Sequence, residues 1–122
     1  MLEIIYYKKN NINLFFNFVL GLDNKRLQVK IIRDLELLQK LGYQLGLPYV
    51  KPITDCDGKI YELRTKHSTN IVRTHFFFYK QSQIFVLNAY LKKDQKASKR
   101  EIKKACSYKS QIVKEDDLYG NT

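Results

Sequence analysis

The order of apolar and polar residues predicts one strand and two helices in the N-terminal part of the chain. Leu2–Tyr7 is aliphatic and aromatic, which is typical of a short strand. Apolar residues then recur at helical spacing in two stripes, Ile12, Phe15, Phe16 and Val19 followed by Leu27, Ile31, Leu35, Leu38 and Leu41. A candidate N-cap precedes each stripe, Asn10 or Asn11 for the first and Asp23 for the second, and a glycine follows each. We therefore expect a helical hairpin after the first strand.

A different pattern, alternation with a period of two, predicts three strands in the C-terminal half. The stretch 42–58 holds both prolines and is expected to be a loop. Beyond it, the segments Lys59–Thr65, Ile71–Lys80 and Ile84–Leu91 alternate like half-buried strands, and their short connections favour an antiparallel meander. In the last segment the alternation groups Val86 with Asn88 and Tyr90 on one face, which we expect to differ from the face of Phe85, Leu87 and Ala89.

The predicted order of elements is typical of an α+β fold. A last helix follows the three strands, with Ser98 as its candidate N-cap and Glu101 at the capping-box position. We expect an antiparallel sheet of about four strands with helices on one face, so that the other face is partly free to carry a site. Residues 1–114 are predicted to form a single domain, and the acidic tail 115–122 is predicted to be frayed.

Composition and charge narrow the class of protein. Hydrophobic residues make up 44% of the 122 residues, which fits a globular chain and not a disordered one. A net charge of +10 and an isoelectric point of about 9.6 predict attraction to nucleic acid, a ribosome or an acidic protein. No apolar run approaches the roughly 20 residues that span a membrane, and the N-terminus lacks the pattern of a signal peptide. We therefore expect a cytoplasmic protein with no membrane partner, in which Cys56 and Cys106 are free thiols.

Polar side chains interrupt the strand patterns. The interrupting residues, inside the strands or just after the last one, are Arg64, Arg73, His75, Asn88, Tyr90, Lys92 and Lys93. A meander can bring them to one face, where they suit cleavage of RNA by its own 2′-hydroxyl, which needs a base, an acid and cations for the extra charge on phosphorus. Arginine offers a bidentate phosphate clamp. The sequence shows no carboxylate cluster suited to Mg²⁺, so we expect neither a metal nor another cofactor.

The same residues also have structural explanations. Arg64 and Arg73 are compatible with an open, solvated sheet face, and Tyr90 with packing. His75, in an aromatic strand, is compatible with a hydrogen-bonded structural role. The alternation alone does not choose between these explanations and a site.

The chain contains several short motifs, each of which is a weak indicator of a protein family by itself. Their order and spacing together are more specific. The motifs are Leu47-Pro48-Tyr49-Val50-Lys51-Pro52-Ile53, Ile60-Tyr61-Glu62-Leu63-Arg64, Ile71-Val72-Arg73, Ile84 to Tyr90 running into Leu91-Lys92-Lys93-Asp94-Gln95-Lys96, and Arg100-Glu101-Ile102. This order resembles the HigB branch of the RelE/ParE toxin superfamily over roughly residues 45–106.

The resemblance implies a RelE-like fold and the toxin of a type II toxin–antitoxin system. Such a toxin is an mRNA interferase, a metal-independent endoribonuclease that cuts messenger RNA on the ribosome and inhibits translation. Carried over by position, the candidate catalytic residues are Arg64, Arg73, His75, Tyr90 and Lys93, and the candidate RNA-binding residues are Lys51, Lys92 and Lys96. Asn88 stands where many relatives have His, and Glu62 where some have a basic residue. The general base therefore stays open among His75, Tyr90 and Lys93.

The resemblance also implies a partner. A cognate antitoxin, of a helix-turn-helix and HigA-like kind, would silence the toxin, bind operator DNA itself and form a complex such as a heterotetramer around an antitoxin dimer. It could cover Arg73 and the Lys92–Lys93 edge, or it could dock on the predicted hairpin at Leu27–Leu41. The sequence does not decide between these, and we favour the hairpin because its amphipathic helices offer apolar surface. Two alternatives stay open: a ParE-like toxin that poisons gyrase without nuclease activity, and a non-catalytic RNA- or ribosome-binding module.

Overall fold

The computed structural model describes residues 1–56, 59–92 and 98–119, with side chains described up to residue 117. Within these ranges the elements are β1 (Glu3–Tyr6), β2 (Lys8–Lys9), β3 (Ile12–Asn13), α1 (Leu14–Leu20), α2 (Lys25–Leu41), β4 (Val50–Ile53), β5 (Ile60–His67), β6 (Asn70–Tyr79), β7 (Gln83–Lys92) and α3 (Lys99–Tyr119). None of the helices in the described part of the chain is long and apolar enough to cross a membrane.

The centre of the fold is a mixed sheet. Over the described residues it has five strands in the order β1-β7-β6-β5-β4. Strands β4 to β7 form the predicted antiparallel meander, whereas β1 pairs in parallel with β7. The α+β class is therefore confirmed, but the expectation of about four antiparallel strands is wrong. β4 lies in the stretch that the sequence predicts as a loop. The strand escapes prediction because it is short and contains Pro52, a residue that is tolerated in an edge strand such as this one.

Helices cover both faces of the sheet. The apolar stripe of α2 packs with α1 on one face, and its buried members include Leu27, Ile31 and Leu38. On the opposite face α3 packs Ile102, Ala105 and Tyr108 against Ile60, Phe77 and Leu87. The expectation that helices lie on one face is wrong. The stripe from Leu27 to Leu38 is part of the core, so it is not the exposed docking surface that the sequence predicts, and only Leu41 at its end is exposed, at 40%.

The helix ends follow the predicted chemistry at shifted positions. Asn13 and Asn24 are the N-caps of α1 and α2, and each side chain accepts a hydrogen bond of 3.1 Å from a backbone N–H of the first turn. Asn10 and Asn11 instead form the turn between β2 and β3, where both have positive φ, a conformation that asparagine tolerates. The predicted cap Asp23 is also wrong, because the next residue, Asn24, caps α2.

The last helix is longer than expected. Ser98 caps it as predicted, since its Oγ accepts a 3.3 Å hydrogen bond from the N–H of Glu101. The helix continues to Tyr119 and so includes residues 115–119 of the tail that the sequence predicts to be frayed. Asp116 accepts a hydrogen bond from the hydroxyl of Tyr79, and this bond, together with burial and the charges of Asp116 and Asp117, raises the pKa of Tyr79 to about 12.

The two cysteines are bonded to each other. Cys56, just after β4, and Cys106, in α3, form a disulfide with a Cα–Cα distance of 6.0 Å. The expectation of two free thiols is therefore wrong. That expectation rests on the reducing conditions of the cytoplasm. The sequence does not show that α3 packs beside the end of β4, which brings the two cysteines within bonding distance.

The buried face of α2 generates a stability prediction. Ile31→Ala should lower the free energy of unfolding by about 2–5 kcal/mol, because Ile31 is 0% exposed. Val29→Ala on the same helix is the control, since Val29 is 56% exposed and its loss should change stability by no more than about 0.5 kcal/mol. Urea unfolding followed by circular dichroism measures both. Equal losses would contradict the assignment of the two faces of α2.

Candidate functional site

Cross-strand pairing gathers polar side chains on the face covered by α3. Residues directly opposite each other in antiparallel strands point to the same face. Two rows of partners cross the meander in this way, Lys51–Glu62–His75 and Arg64–Arg73–Tyr90. The structure therefore brings together four of the predicted catalytic residues and adds Glu62 at their centre.

A β-bulge in β7 decides which side chains join this face. Thr74 pairs with Ala89 and Phe76 with Val86, so Leu87 and Asn88 both lie opposite His75. The extra residue shifts the alternation along the rest of β7. The predicted grouping of Val86 with Asn88 and Tyr90 is therefore wrong: Val86 packs in the core beside α2, whereas Asn88 contacts α3.

Glu62 is the centre of a buried ionic cluster. Its Oε1 accepts a 2.5 Å hydrogen bond from Nη1 of Arg73 and lies 3.9 Å from Nε of Arg64. Its Oε2 lies 3.6 Å from Nε2 of His75. Glu62, Arg73 and His75 are each 0% exposed, and the side chain of Arg64 is 13% exposed. Arg64 is therefore the rim of the cluster, and the other three are its interior.

Opposing effects set the charge of this carboxyl. Burial raises the pKa of Glu62, but the neighbouring His75 and the Arg73 guanidinium lower it by more, so the net pKa lies below its ordinary value. Glu62 is consequently ionised near neutral pH. Sequence reasoning treated it only as a departure from the family pattern. The available signal was an acidic residue in register with two predicted cations and a histidine on the same face.

The first turn of α3 is tied to the other side of the cluster. The Nδ1 of His75 lies 3.2 Å from Oδ1 of Asn88, and Nδ2 of Asn88 donates to both the backbone oxygen and Oε2 of Glu101, each at 3.2 Å. The Tyr90 hydroxyl accepts a 2.9 Å hydrogen bond from the N–H of Ser98, and burial raises the pKa of Tyr90. Tyr90 therefore links β7 to α3 and lies beside the His75 ring.

The predicted lysines lie either at the border of the ionic cluster or outside the described residues. Lys51 is exposed on the edge strand β4, in register with Glu62. Lys92 is half-buried at the end of β7, opposite Ile71. Lys93 and Lys96 lie outside the described residues. Lys51 and Lys92 therefore flank the cluster along the sheet.

The arrangement is suited to proton transfer beside a phosphate. It places an ionised carboxylate and an imidazole 3.6 Å apart, with guanidinium groups next to the carboxylate. A carboxylate can accept a proton, an imidazole can donate one, and guanidinium groups stabilise negative charge on phosphate oxygens. Among the described residues no group of three or more His, Cys, Asp or Glu side chains could hold a metal ion.

Comparison with known proteins gives one family. The family model described as Phage derived protein Gp49-like (DUF891) matches residues 19–109, about three quarters of the chain. The Gp49-like family is associated with the toxins of toxin–antitoxin systems. No curated protein matches the sequence. The matched range contains β4 to β7 and the first half of α3, and with them every residue of the ionic cluster.

The lowered pKa of Glu62 predicts acid-dependent stability. A folded-state pKa below the unfolded value, about 4.3, gives stability that is present above that value and is lost as the pH falls through the folded pKa. Glu62→Gln should remove this dependence and, because it leaves Arg73 buried without its carboxylate, lower the free energy of unfolding at pH 7 by about 3–5 kcal/mol.

The control for this prediction is Glu36→Gln. Glu36 is exposed on α2, so this variant should stay within about 0.5 kcal/mol of the wild type. Urea unfolding at neutral and acidic pH measures both variants. If Glu62→Gln loses no more stability than Glu36→Gln and keeps the acid dependence, Glu62 does not hold the cluster together.

Proposed function

The chain belongs to the Gp49-like family, and on that basis we propose that it is the toxin of a type II toxin–antitoxin system and cleaves messenger RNA. One observation carries the nuclease part of the proposal: Arg64, Arg73, His75 and Tyr90 meet around an ionised carboxylate on one sheet face. The resemblance of the strand motifs to the HigB branch supports messenger RNA on the ribosome as the substrate.

The chemistry is an internal transfer at phosphorus. The 2′-oxygen of the RNA attacks the adjacent phosphorus, the bond to the 5′-oxygen breaks, and the products are a 2′,3′-cyclic phosphate and a 5′-hydroxyl. Glu62 accepts the proton of the 2′-hydroxyl, and His75 donates a proton to the departing 5′-oxygen. Arg73 and Arg64 stabilise the charge that develops on the phosphate oxygens. No step requires a metal.

Binding of the RNA is assigned to the border of the cluster. Lys51 and Lys92 flank it on the sheet, and Lys96 follows β7 in the sequence. Each lysine can neutralise one phosphate of the backbone. Tyr90 packs beside His75, with ring centroids 5.6 Å apart, and holds its orientation.

Burial of the cluster adds a requirement. Arg73 reaches the Glu62 carboxylate at 2.5 Å and is shielded from solvent, so a substrate phosphate must replace that carboxylate as its partner. We therefore include in the proposal an opening of this face, starting from Arg64, when the chain docks on its target. This requirement fits an enzyme that acts on ribosome-bound RNA and leaves free RNA intact.

The same burial favours a second candidate. A cluster whose interior is 0% exposed also stabilises a sheet without any chemistry. The second candidate is therefore a toxin without nuclease activity, either a ParE-like inhibitor of gyrase or a module that binds RNA or the ribosome through its basic surface. Cleavage of cellular transcripts separates the two.

The test of cleavage is primer extension on transcripts after brief induction. Arg64→Ala should reduce cleavage about 10²–10³-fold, because one cation near the developing charge is lost, while the partial exposure of Arg64 limits damage to the fold. Arg26→Ala, which removes an exposed arginine of α2, is the matched control. Purified protein on translating ribosomes should leave 2′,3′-cyclic phosphate ends without a transition metal. Growth arrest with no transcript cut would favour the second candidate.

The partner proposed for the chain is an acidic antitoxin. The exposed side of α2 carries the cations Lys25, Arg26, Lys30 and Arg33 around a single exposed apolar side chain, Val29, and the other exposed apolar residue of this helix, Leu41, lies at its far end. Its binding should therefore rely on charge, and association should slow as the ionic strength rises.

Co-expression with the product of the neighbouring gene tests this partner. The two proteins should copurify at low salt, and stopped-flow association should slow markedly between low and high salt. Retention of a complex and suppression of toxicity support the antitoxin. A chain that purifies alone and is harmless without a partner would contradict the toxin assignment.

A further inference from the structure

The side-chain amide of Asn88 bridges His75 and the first turn of α3. We propose that Asn88 is a positioning residue that holds a proton on Nδ1 of His75 and so leaves Nε2 as the ring nitrogen that exchanges a proton at the site. The catalytic role of this proton placement rests on the proposed function, whereas the placement itself follows from the contacts of Asn88 alone.

The contact with α3 fixes the orientation of the amide. A backbone carbonyl oxygen can only accept a hydrogen bond, so the group of Asn88 that faces the carbonyl of Glu101 must be its NH₂. Its Nδ2 lies 3.2 Å from that oxygen and 3.2 Å from the Oε2 of the same residue. The oxygen of the amide therefore faces His75, and rotation of the amide by half a turn would place two oxygens against each other.

The orientation of the amide decides which imidazole nitrogen carries hydrogen. The Oδ1 of Asn88 has no hydrogen to give, and it lies 3.2 Å from Nδ1 of His75. His75 is 0% exposed and Asn88 5% exposed, so solvent has little access to either atom. Nδ1 must therefore be the donor in this pair.

The opposite nitrogen faces the reactive groups. The Nε2 of His75 lies 3.6 Å from Oε2 of Glu62, a spacing longer than a hydrogen bond, and Arg73 and Tyr90 lie on the same side of the sheet. With Nδ1 held by Asn88, gain or loss of a proton occurs at Nε2. A neutral amide sets this tautomer without adding a second negative charge beside Glu62.

The contact between Asn88 and His75 lies at the bulge in β7. Leu87 and Asn88 both lie opposite His75, and Asn88 is on the same face as Tyr90, with His75 and Glu101 within reach of its amide. Asn88 therefore also couples the start of α3 to the ring of His75. A role in packing alone would not need the amide to take one orientation.

Nuclear magnetic resonance of nitrogen-labelled histidine tests the inference. The chain has two histidines, and His67→Gln assigns the signals of His75. At pH values where the ring is neutral, two-bond proton–nitrogen correlations of the wild type should show His75 with hydrogen on Nδ1. A spectrum with hydrogen on Nε2, or an average of the two forms, would overturn the proposal. This measurement needs no variant of Asn88 and no activity.

Two variants sharpen the result. Asn88→Leu, similar in size but without the amide, should move the signals of His75 away from the single Nδ1–H form. Glu101→Gln should leave that form in place, because the backbone carbonyl still orients the amide. If Asn88→Leu folds and keeps the wild-type tautomer, Asn88 does not set it. If it does not fold, the wild-type spectrum alone decides.

The cleavage assay separates this inference from the proposed function. In primer extension, folded Asn88→Leu should cut about 10–100-fold less than the wild type, as is usual when the group that orients a reactive side chain is lost. A wild type with the Nδ1–H form but no cleavage would contradict the proposed function and leave the tautomer standing. Cleavage by a wild type with hydrogen on Nε2 would contradict only the inference about Asn88.

Discussion

The buried charge of Glu62 is the constraint on which the rest of the structure depends. A carboxylate taken out of water must keep its cationic partners in place, since the cost of burying it alone is large. Arg73 and His75 meet this need only in the observed register of β5 and β6, because a slip of one residue would turn Glu62 into the apolar core beside α2. The ionic cluster therefore fixes the register between β5 and β6 as well as the charged state of Glu62.

The sequence allowed prediction of features that depend on neighbours along the chain. The stripe from Leu27 to Leu38, the alternation of β5 and β6 and the Ser98 cap are local patterns, and each is present in the structure. The meeting of Arg64, Arg73 and His75 could also be expected, because a meander with short turns aligns its faces.

The features that could not be predicted arise from contacts between distant segments. The bulge at Leu87 and Asn88 breaks a regular alternation, and no residue type marks it in advance. The bond between Cys56 and Cys106 and the cover of α3 depend on how the chain returns over the sheet. Glu62 was not predicted as a site residue, because a carboxylate inside a strand has no evident role until its partners Arg73 and His75 are known. The interior of the site was thus predicted in part, and the groups that orient it were missed.

The parallel pairing of β1 with β7 sets an order of events during synthesis. Glu3–Tyr6 is made early, but its partner in the sheet, Gln83–Lys92, follows only after most of the chain has been translated. Contacts so far apart in sequence form late, since the intervening chain must close first. The same late segment supplies Asn88 and Tyr90. A growing chain therefore lacks a complete sheet and a complete cluster until β7 has been translated.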